Sequence, residues 1–327
     1  MRQIVLATSA GECTPLADAH QATDLIKEPG NILWIDLEHP EVEDIQLLRT
    51  RFNFHPLAVE DALHRQQKPK VDTYDGYYFI VFYSVSYRRN KEDDDNHSIR
   101  ARQVSLFAGP NYLVTVHAGL VPEIEQTVER WKTAHSAIGH SVASLVYALL
   151  DAIVDNYFPV IDHIVEHVED LEEQIFGKFE PDTLPQIFAL KKDLLNMRRI
   201  VAPARDVMNI LLRNDRSVFP RESLFYFQDV YDHTVRVTDS IDTYRDLLSS
   251  ALDSYLSISS NNMNQTMRVL TSSSIILMSM ALVSGIYGMN FKIIPELDWQ
   301  NGYPFALILM GVVALALGWF FRKKGWL

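Results

Sequence analysis

The chain reads as an α+β membrane protein, with an N-terminal α/β domain, a long helical stalk and two C-terminal transmembrane helices. Three observations predict this class. Residues 269–291 and 299–321 carry no formal charge, and each run is long enough for the ~30 Å hydrocarbon core, which takes about 20 helical residues. Between Pro220 and Pro295 there is no further proline, and the only glycines are Gly285 and Gly288, so nothing interrupts a helix of about 70 residues. Upstream, β-rich runs alternate with short helical patterns. The expected boundaries are a cytoplasmic α/β domain over 1–140, a helical domain with the cytoplasmic part of the stalk over 141–268, and a first transmembrane helix over 269–291. An extracytoplasmic loop over 292–302, a second transmembrane helix over 303–321 and a basic cytoplasmic tail over 322–327 complete the chain.

The first fifteen residues hold only the short apolar stretch Ile4-Val5-Leu6-Ala7, too brief for the apolar region of a signal peptide. The polar part is therefore expected in the cytoplasm. Runs such as Ile32-Leu33-Trp34-Ile35 and Tyr77-Tyr78-Phe79-Ile80-Val81-Phe82-Tyr83 read as strands, with helical patterns over 40–52 and 56–65. The charged tract 88–97, containing Lys91-Glu92-Asp93-Asp94-Asp95, reads as a solvated hairpin tip, and Gly109-Pro110-Asn111 as a second turn. Helical periodicity takes over from Glu123 to Gln174 and again from Pro181 to Arg213.

The last helix, at 1.5 Å per residue, would be roughly 105 Å long, leaving roughly 75 Å outside the bilayer. One protomer of 327 residues cannot cover so long a stripe, which argues for packing against symmetry-related copies in a homo-oligomer.

Composition narrows the function classes. A formal charge of −12 disfavours nucleic acid and suits cationic ligands. The single Cys13 excludes an intramolecular disulfide and a cysteine zinc cluster. There is no phosphate loop or Gly-rich nucleotide fingerprint, and no organic cofactor is expected. His163-Ile164-Val165-Glu166-His167 has the spacing of one metallopeptidase signature. It lies in an acidic helix without a matching third ligand, so these read as solvated histidines and the chain is not expected to be an enzyme.

Orientation follows from the flanks. Arg268 precedes the first span and Arg322, Lys323 and Lys324 follow the second, whereas the connecting loop sets Lys292 against Glu296 and Asp298. Both termini should then face the cytoplasm.

One face of the long helix, followed in alternating steps of four and three, gives Asp253, Ser257, Ser260, Asn264, Met267, Thr271, Ser274, Met278, Ala281 and Gly285. A seam built for stability would carry Leu, Ile or Val. This one is small and polar, and polar side chains in lipid face a bundle interior or a water-filled path. Two readings stand side by side: a central pore, and a tight interface of the small-xxx-small kind, for which Ala281 and Gly285 would suffice.

Tyr287-Gly288-Met289-Asn290, followed by Pro295-Glu296-Leu297, a second apolar span and Lys323-Lys324-Gly325-Trp326-Leu327, resembles the CorA family of divalent-cation (Mg²⁺/Co²⁺) channels. His55-Pro56-Leu57-Ala58-Val59-Glu60-Asp61, Pro69-Lys70-Val71 and Asp229-Val230-Tyr231-Asp232-His233-Thr234 also look like family segments, so the resemblance covers nearly the whole chain. It implies a funnel-shaped homopentamer in the inner (plasma) membrane whose first membrane helices line the pore, with Mg²⁺ as substrate and regulatory ligand and lipid as the other partner.

What the resemblance implies can be placed residue by residue. Gly288, Met289 and Asn290 would form the entrance. Five Asn290 amides would offer neutral carbonyl acceptors to a hydrated Mg²⁺, which gives up water reluctantly. Gly288 would give the turn its backbone freedom. Asn290 is equally readable as a helix C-cap. Asn264 would form a second polar ring and Asp253 an acidic one. Met278 and Leu270 would match hydrophobic constrictions, with Met267, Thr271, Ser274, Ala281 and Gly285 completing the lining, although Leu270 by itself is ordinary packing. Asp61 and Asp229 match a pair of regulatory carboxylates between protomers, while each alone reads as a cap or surface charge. Glu296 in the loop gathers cations at the entrance or merely packs the loop.

Two departures bear on selectivity. Ala281 stands where some members carry threonine, and Ile294 precedes Pro295 where methionine is usual, which leaves the order among Mg²⁺, Co²⁺ and Ni²⁺ open. A zinc transporter of the ZntB type and a non-conducting membrane-anchored metal sensor are the alternatives. Met289 counts against the former, because that branch usually departs from methionine there.

Overall fold

The computed structural model describes residues 2–8, 12–16, 19–64, 67–87, 99–133, 139–177, 183–213, 218–290 and 299–326. The charged tract 88–97 and the loop residues Lys292, Ile294, Pro295, Glu296 and Asp298 lie largely or wholly outside the described residues. Two compact units divide the chain, Met1–Ser250 and Ala251–Leu327.

The first unit is built on a seven-stranded mixed sheet. Its strands are β1 (Arg2–Ala7), β2 (Cys13–Pro15), β3 (Ile32–Glu38), β4 (Lys70–Tyr74), β5 (Tyr77–Tyr87), β6 (Ile99–Ala108) and β7 (Tyr112–His117), in the spatial order β2-β1-β3-β7-β6-β5-β4. Only β3 and β7 run parallel, with Ile35 opposite Val114; the other pairs are antiparallel. The apolar stretch Ile4-Val5-Leu6-Ala7 is thus an internal strand, and each of its residues is buried.

Side-chain alternation sends successive residues of a strand to opposite faces. Leu33, Ile35 and Leu37 of β3 join Phe79, Phe107 and Val114 in one apolar cluster. It is covered by α1 (Ala19–Leu25), α2 (Val42–Thr50) and α3 (Pro56–Leu63) through Ala22, Leu47, Leu48, Ala58, Val59 and Ala62. Trp34, one residue out of phase, meets Trp131 of α4 (Pro122–Lys132) with ring centroids 6.1 Å apart.

The α4 face also takes α5 (Val142–Asp155) and α6 (Tyr157–Phe176). The most apolar window of this pair is 56% buried, against 6% in α8 and 11% in α9. Its hydrophobicity is therefore spent on the sheet, and the same composition in α8 and α9 finds no such cover within the chain. Buried Glu123 ties the layer together: Ser84 Oγ and Asn156 Nδ2 donate to its carboxylate at 2.9 and 2.7 Å, satisfying a charge that would otherwise be costly to bury. Tyr157 Oη donates to the Tyr83 carbonyl at 2.6 Å.

Helix α7 (Thr183–Arg213) lies alongside the first part of α8 (Leu224–Tyr287), which follows a short 3₁₀ turn at Arg221–Ser223. Arg198 Nε donates to Asp242 at 2.7 Å and Lys191 Nζ to Ser249 Oγ at 3.1 Å. Helix α8 runs 64 residues without a break, as the lack of internal proline and early glycine requires. The second unit consists of the remainder of α8 and α9 (Gly302–Lys323).

Phe54 anchors the α1–α3 face. It is 2% exposed and stacks on Phe107 at 4.3 Å and Phe52 at 5.2 Å, with Tyr77 at 4.8 Å. Phe54→Ala should destabilise the sheet layer by about 3–5 kcal/mol, the usual cost of emptying a buried aromatic site. Hydrogen exchange of the β5–β7 amides in the detergent-solubilised chain measures it; protection equal to that of the unsubstituted protein would contradict this packing account.

Candidate functional site

In the second unit every residue of the polar seam, from Asp253 through Asn264, Met267, Thr271, Ser274, Met278 and Ala281 to Gly285, is exposed. Met278 is 72% and Leu270 60% exposed. From Thr271 to Tyr287 the covered residues, Ser272, Ser273, Ile276, Ser279, Met280, Val283 and Tyr287, cluster roughly 150° around the helix from the seam at 100° per residue. The seam lies in the middle of a wider exposed arc that also holds Leu277, Leu282 and Ile286. Ser274 Oγ donates back to the Leu270 carbonyl at 2.8 Å, which occupies its proton and leaves oxygen lone pairs on the open face.

Helix α8 stops at Tyr287. The Gly288 amide still donates to the Ser284 carbonyl at 3.0 Å and the Met289 amide to Ile286 at 3.3 Å, so the last turn tightens before the chain departs. Among the described residues neither Gly288 nor Asn290 has a positive φ. What glycine supplies there is space, because a Cβ at 288 would stand 3.3 Å from the Ser284 carbonyl oxygen. The absence of a positive φ also removes the left-handed C-cap role for Asn290. Asn290 and Met289 are exposed, beside the helix end and available to a ring of copies.

Along α9, aromatic side chains sit at both ends. Tyr303 is 77% and Trp319 67% exposed, and sixteen residues of helix separate them by about 24 Å. Lys323 Nζ lies over the Trp319 ring at 5.2 Å. Glu296, the expected loop residue, lies outside the described residues.

Within the first unit, Asp61 and Asp229 are in different settings and make no described contact with each other. Asp61, on α3, accepts from Lys70 Nζ at 2.7 Å and Gln67 Nε2 at 3.0 Å. Lys70 also bonds Asp72 at 2.6 Å. Burial works against the Lys70 ammonium, but the hydrogen bonds and charges of Asp61 and Asp72 outweigh it and raise its pKa. Asp61 thus shares the Lys70 ammonium with Asp72, and a cation arriving there competes with an internal lysine.

Asp229 belongs to a constellation that sequence reasoning did not assemble. Asp151, Asp229 and His233 each offer a ligand atom within 4.8 Å of the others. Asp229 and His233 are four residues apart on α8, with His233 Nε2 3.9 Å from the Asp229 carboxylate. His233 Nδ1 lies 3.5 Å from Asp155 and is buried without a hydrogen-bond partner among the described residues. An imidazole with one nitrogen beside Asp155 and the other beside Asp229, its Nδ1 lacking a hydrogen-bond partner, suits a cation or its bound water. The Asp151 carboxyl is pushed up to about 6, first by burial and then by the charges of Asp155 and Asp229, with His233 and Arg130 opposing. The same carboxylates, after burial, raise the Tyr147 phenol. The signal that could have found this site was the pair of four-residue spacings, Asp151 with Asp155 and Asp229 with His233, on two helices.

Residues 29–323 match the family described as CorA-like Mg²⁺ transporter protein. The cobalt/magnesium transport protein CorA of Thermotoga maritima is 36% identical over 296 residues, covering 90% of this chain and 83% of that protein. The protein of the same name from Methanocaldococcus jannaschii is 26% identical over 302 residues, covering 92% and 93%. Among solved structures, the complete CorA magnesium transporter of M. jannaschii superimposes with a TM-score of 0.82 at 22% identity over 99% of this chain and 98% of that one. The ZntB cytoplasmic domain from Vibrio parahaemolyticus shares the fold at a TM-score of 0.65 and 12% identity. With its seven-stranded sheet, long α8 and apolar α9 matched along nearly their whole length, this chain belongs to the CorA-like Mg²⁺ transporter family, a family of transporters and not of enzymes.

Proposed function

We propose that this chain is the protomer of a divalent-cation channel that admits Mg²⁺, and Co²⁺ or Ni²⁺ with it, into the cell down the membrane potential. The observation that carries the reading is the seam: a continuous line of small and polar residues left exposed on α8, opposite its covered face, in a helix window only 6% buried. A monomer gains nothing by presenting that line to lipid. Copies arranged around an axis, five in a homopentamer, turn it into the wall of a hydrated path. In this arrangement 269–291 and 303–321 are the two spans of a multi-pass inner-membrane protein with both termini cytoplasmic. The aromatic residues about 24 Å apart on α9 mark the two interfaces.

Each residue class has its task. Asn290, flanked by Gly288 and Met289, presents amide oxygens that bind a hydrated Mg²⁺ through its water shell, weakly enough for it to leave. Asn264 repeats the amide ring, and Asp253 concentrates cations at the cytoplasmic end. Met278 and Leu270 narrow the path with apolar rings that can dewet when they approach one another. Two charges moving inward gain roughly 4.6 kcal/mol per 100 mV, so uptake needs no chemical fuel.

Regulation rests on the carboxylates. With Asp61 donated across a protomer interface, Asp229 together with Asp151, Asp155 and His233 would hold an intracellular Mg²⁺ whose charge offsets their mutual repulsion. Occupancy stabilises the closed symmetric assembly; loss of the ion releases it. Lys70 tempers the Asp61 side, keeping the site from being filled at low cation concentration.

Two outcomes test this. In liposomes with an inside-negative potential and no internal Mg²⁺, the unsubstituted protein should carry Mg²⁺ to an internal dye. Asn290→Ala should abolish the flux while leaving the assembled species intact on size exclusion; equal flux in the variant would remove the entrance ring from the mechanism. The regulatory site should also lose affinity in acid. Because the Asp151 carboxyl titrates near 6, below that pH an incoming cation must displace a proton, so Mg²⁺ protection of the first unit from proteolysis should weaken as pH falls through about 6. It should be flat above pH 7, and Asp151→Asn should reduce the dependence. A pH-independent protection curve would exclude Asp151 as a ligand.

A further inference from the structure

Helix α6 carries donor atoms that the transport reading leaves unused. His163 and His167 are four residues apart and so share one face of the helix. Their ring centroids are 4.4 Å apart with planes inclined at 75°. His167 Nδ1 lies 2.7 Å from the His163 carbonyl oxygen. A carbonyl only accepts, so Nδ1 carries a proton, and in the neutral ring this leaves the lone pair on Nε2. The hydrogen bond thus selects the tautomer that a metal ligand needs.

The second ring is held from the side. Tyr87, at the end of β5, meets His163 edge-on at 3.8 Å between centroids, while the His163 side chain remains one-third exposed. The Glu166 carboxylate is 3.7 Å from His163 Nδ1 and 74% exposed, close enough to join a shared ion and free to swing toward His167. No lysine or arginine occurs between Tyr157 and Phe176, and Asp162, Glu169 and Asp170 are exposed on the same helix. The local field therefore favours a cation.

Two imidazoles at this spacing form a chelate on one helix face. Nitrogen donors favour the later first-row divalent metals, whereas Mg²⁺ prefers oxygen. We propose that His163 and His167, with Glu166 as a third donor, bind a divalent transition cation of the Ni²⁺, Co²⁺ or Zn²⁺ class. The site is separate from the cluster of Asp151, Asp229 and His233, and it would let the chain register a transition cation while Mg²⁺ is abundant. It does not depend on the chain conducting ions.

The test is calorimetric titration of Ni²⁺ into the full-length, detergent-solubilised protein at about pH 7.5, in a His233→Asn background that leaves the other cluster only oxygen and amide donors, with Mg²⁺ in large excess. About one Ni²⁺ per chain should bind despite the Mg²⁺, by the stoichiometry of one chelate. His163→Asn and His167→Asn should each weaken it at least about tenfold, since each removes one of two nitrogen donors, whereas Asp151→Asn should leave it unchanged. If His163→Asn disturbs the packing against Tyr87, exposed His167→Asn decides alone. Loss of Ni²⁺ binding on adding Mg²⁺, unaltered binding in His167→Asn, or its loss in Asp151→Asn would each overturn the proposal.

Discussion

A single helix that must satisfy two solvents governs this protein. In its first part α8 carries Asp229, His233 and Asp242, which find partners on α5 and α7. In its last part it presents Leu277, Met278, Leu282 and Ile286 without cover. Exposed apolar surface on this scale is untenable in water, while backbone polar groups in hydrocarbon are tolerable only inside a helix. Continuity of the i→i−4 ladder across all 64 residues meets both demands with one element.

The first unit shows why carboxylates gather where they do. Asp151 and Asp155 rise one turn apart on α5, and Asp229 and His233 one turn apart on α8, so two helix faces bring like charges together. Burial first, and then the charges of Asp155 and Asp229, raise the pKa of the Asp151 carboxyl. A structure optimised only for stability would interleave lysine or arginine there. Asp61 illustrates that alternative, with Lys70 supplying the countercharge internally. The contrast is between carboxylates clustered together and a carboxylate paired with a lysine of its own chain.

Donor chemistry divides the molecule as well. Along the last part of α8 and just past its end, Asn264, Thr271, Ser274 and Asn290 carry amide and hydroxyl oxygens, with the Asp253 carboxylate preceding them; such oxygens suit a cation that keeps its water. On α6 the available donors are imidazole nitrogens, set in a tautomer by the helix backbone itself. Hardness of the ligand, more than net charge, distinguishes these two surfaces, because both sit in an acidic protein of net charge −12.

Much of the architecture was legible in the chain. The uninterrupted length of α8 follows from the absence of proline and of early glycine, and the seam follows from steps of three and four, because helix formation and facial periodicity are local properties. Residues such as Asn264, Ser274 and Met278 could therefore be placed on one face before any fold was known. The resemblance of Gly288-Met289-Asn290 and its flanks already pointed to the family. Other features were decided only by tertiary structure. Nothing local in Ile4-Val5-Leu6-Ala7 says that it pairs with β3, and nothing near Asp229 says that Asp151, 78 positions away in sequence, completes its site. The turn at Gly288 needed space where the sequence suggested conformational freedom. Long-range strand pairing and the meeting of two helix faces depend on how the whole core closes, and that information is held in packing between distant segments rather than in the periodicity of either one.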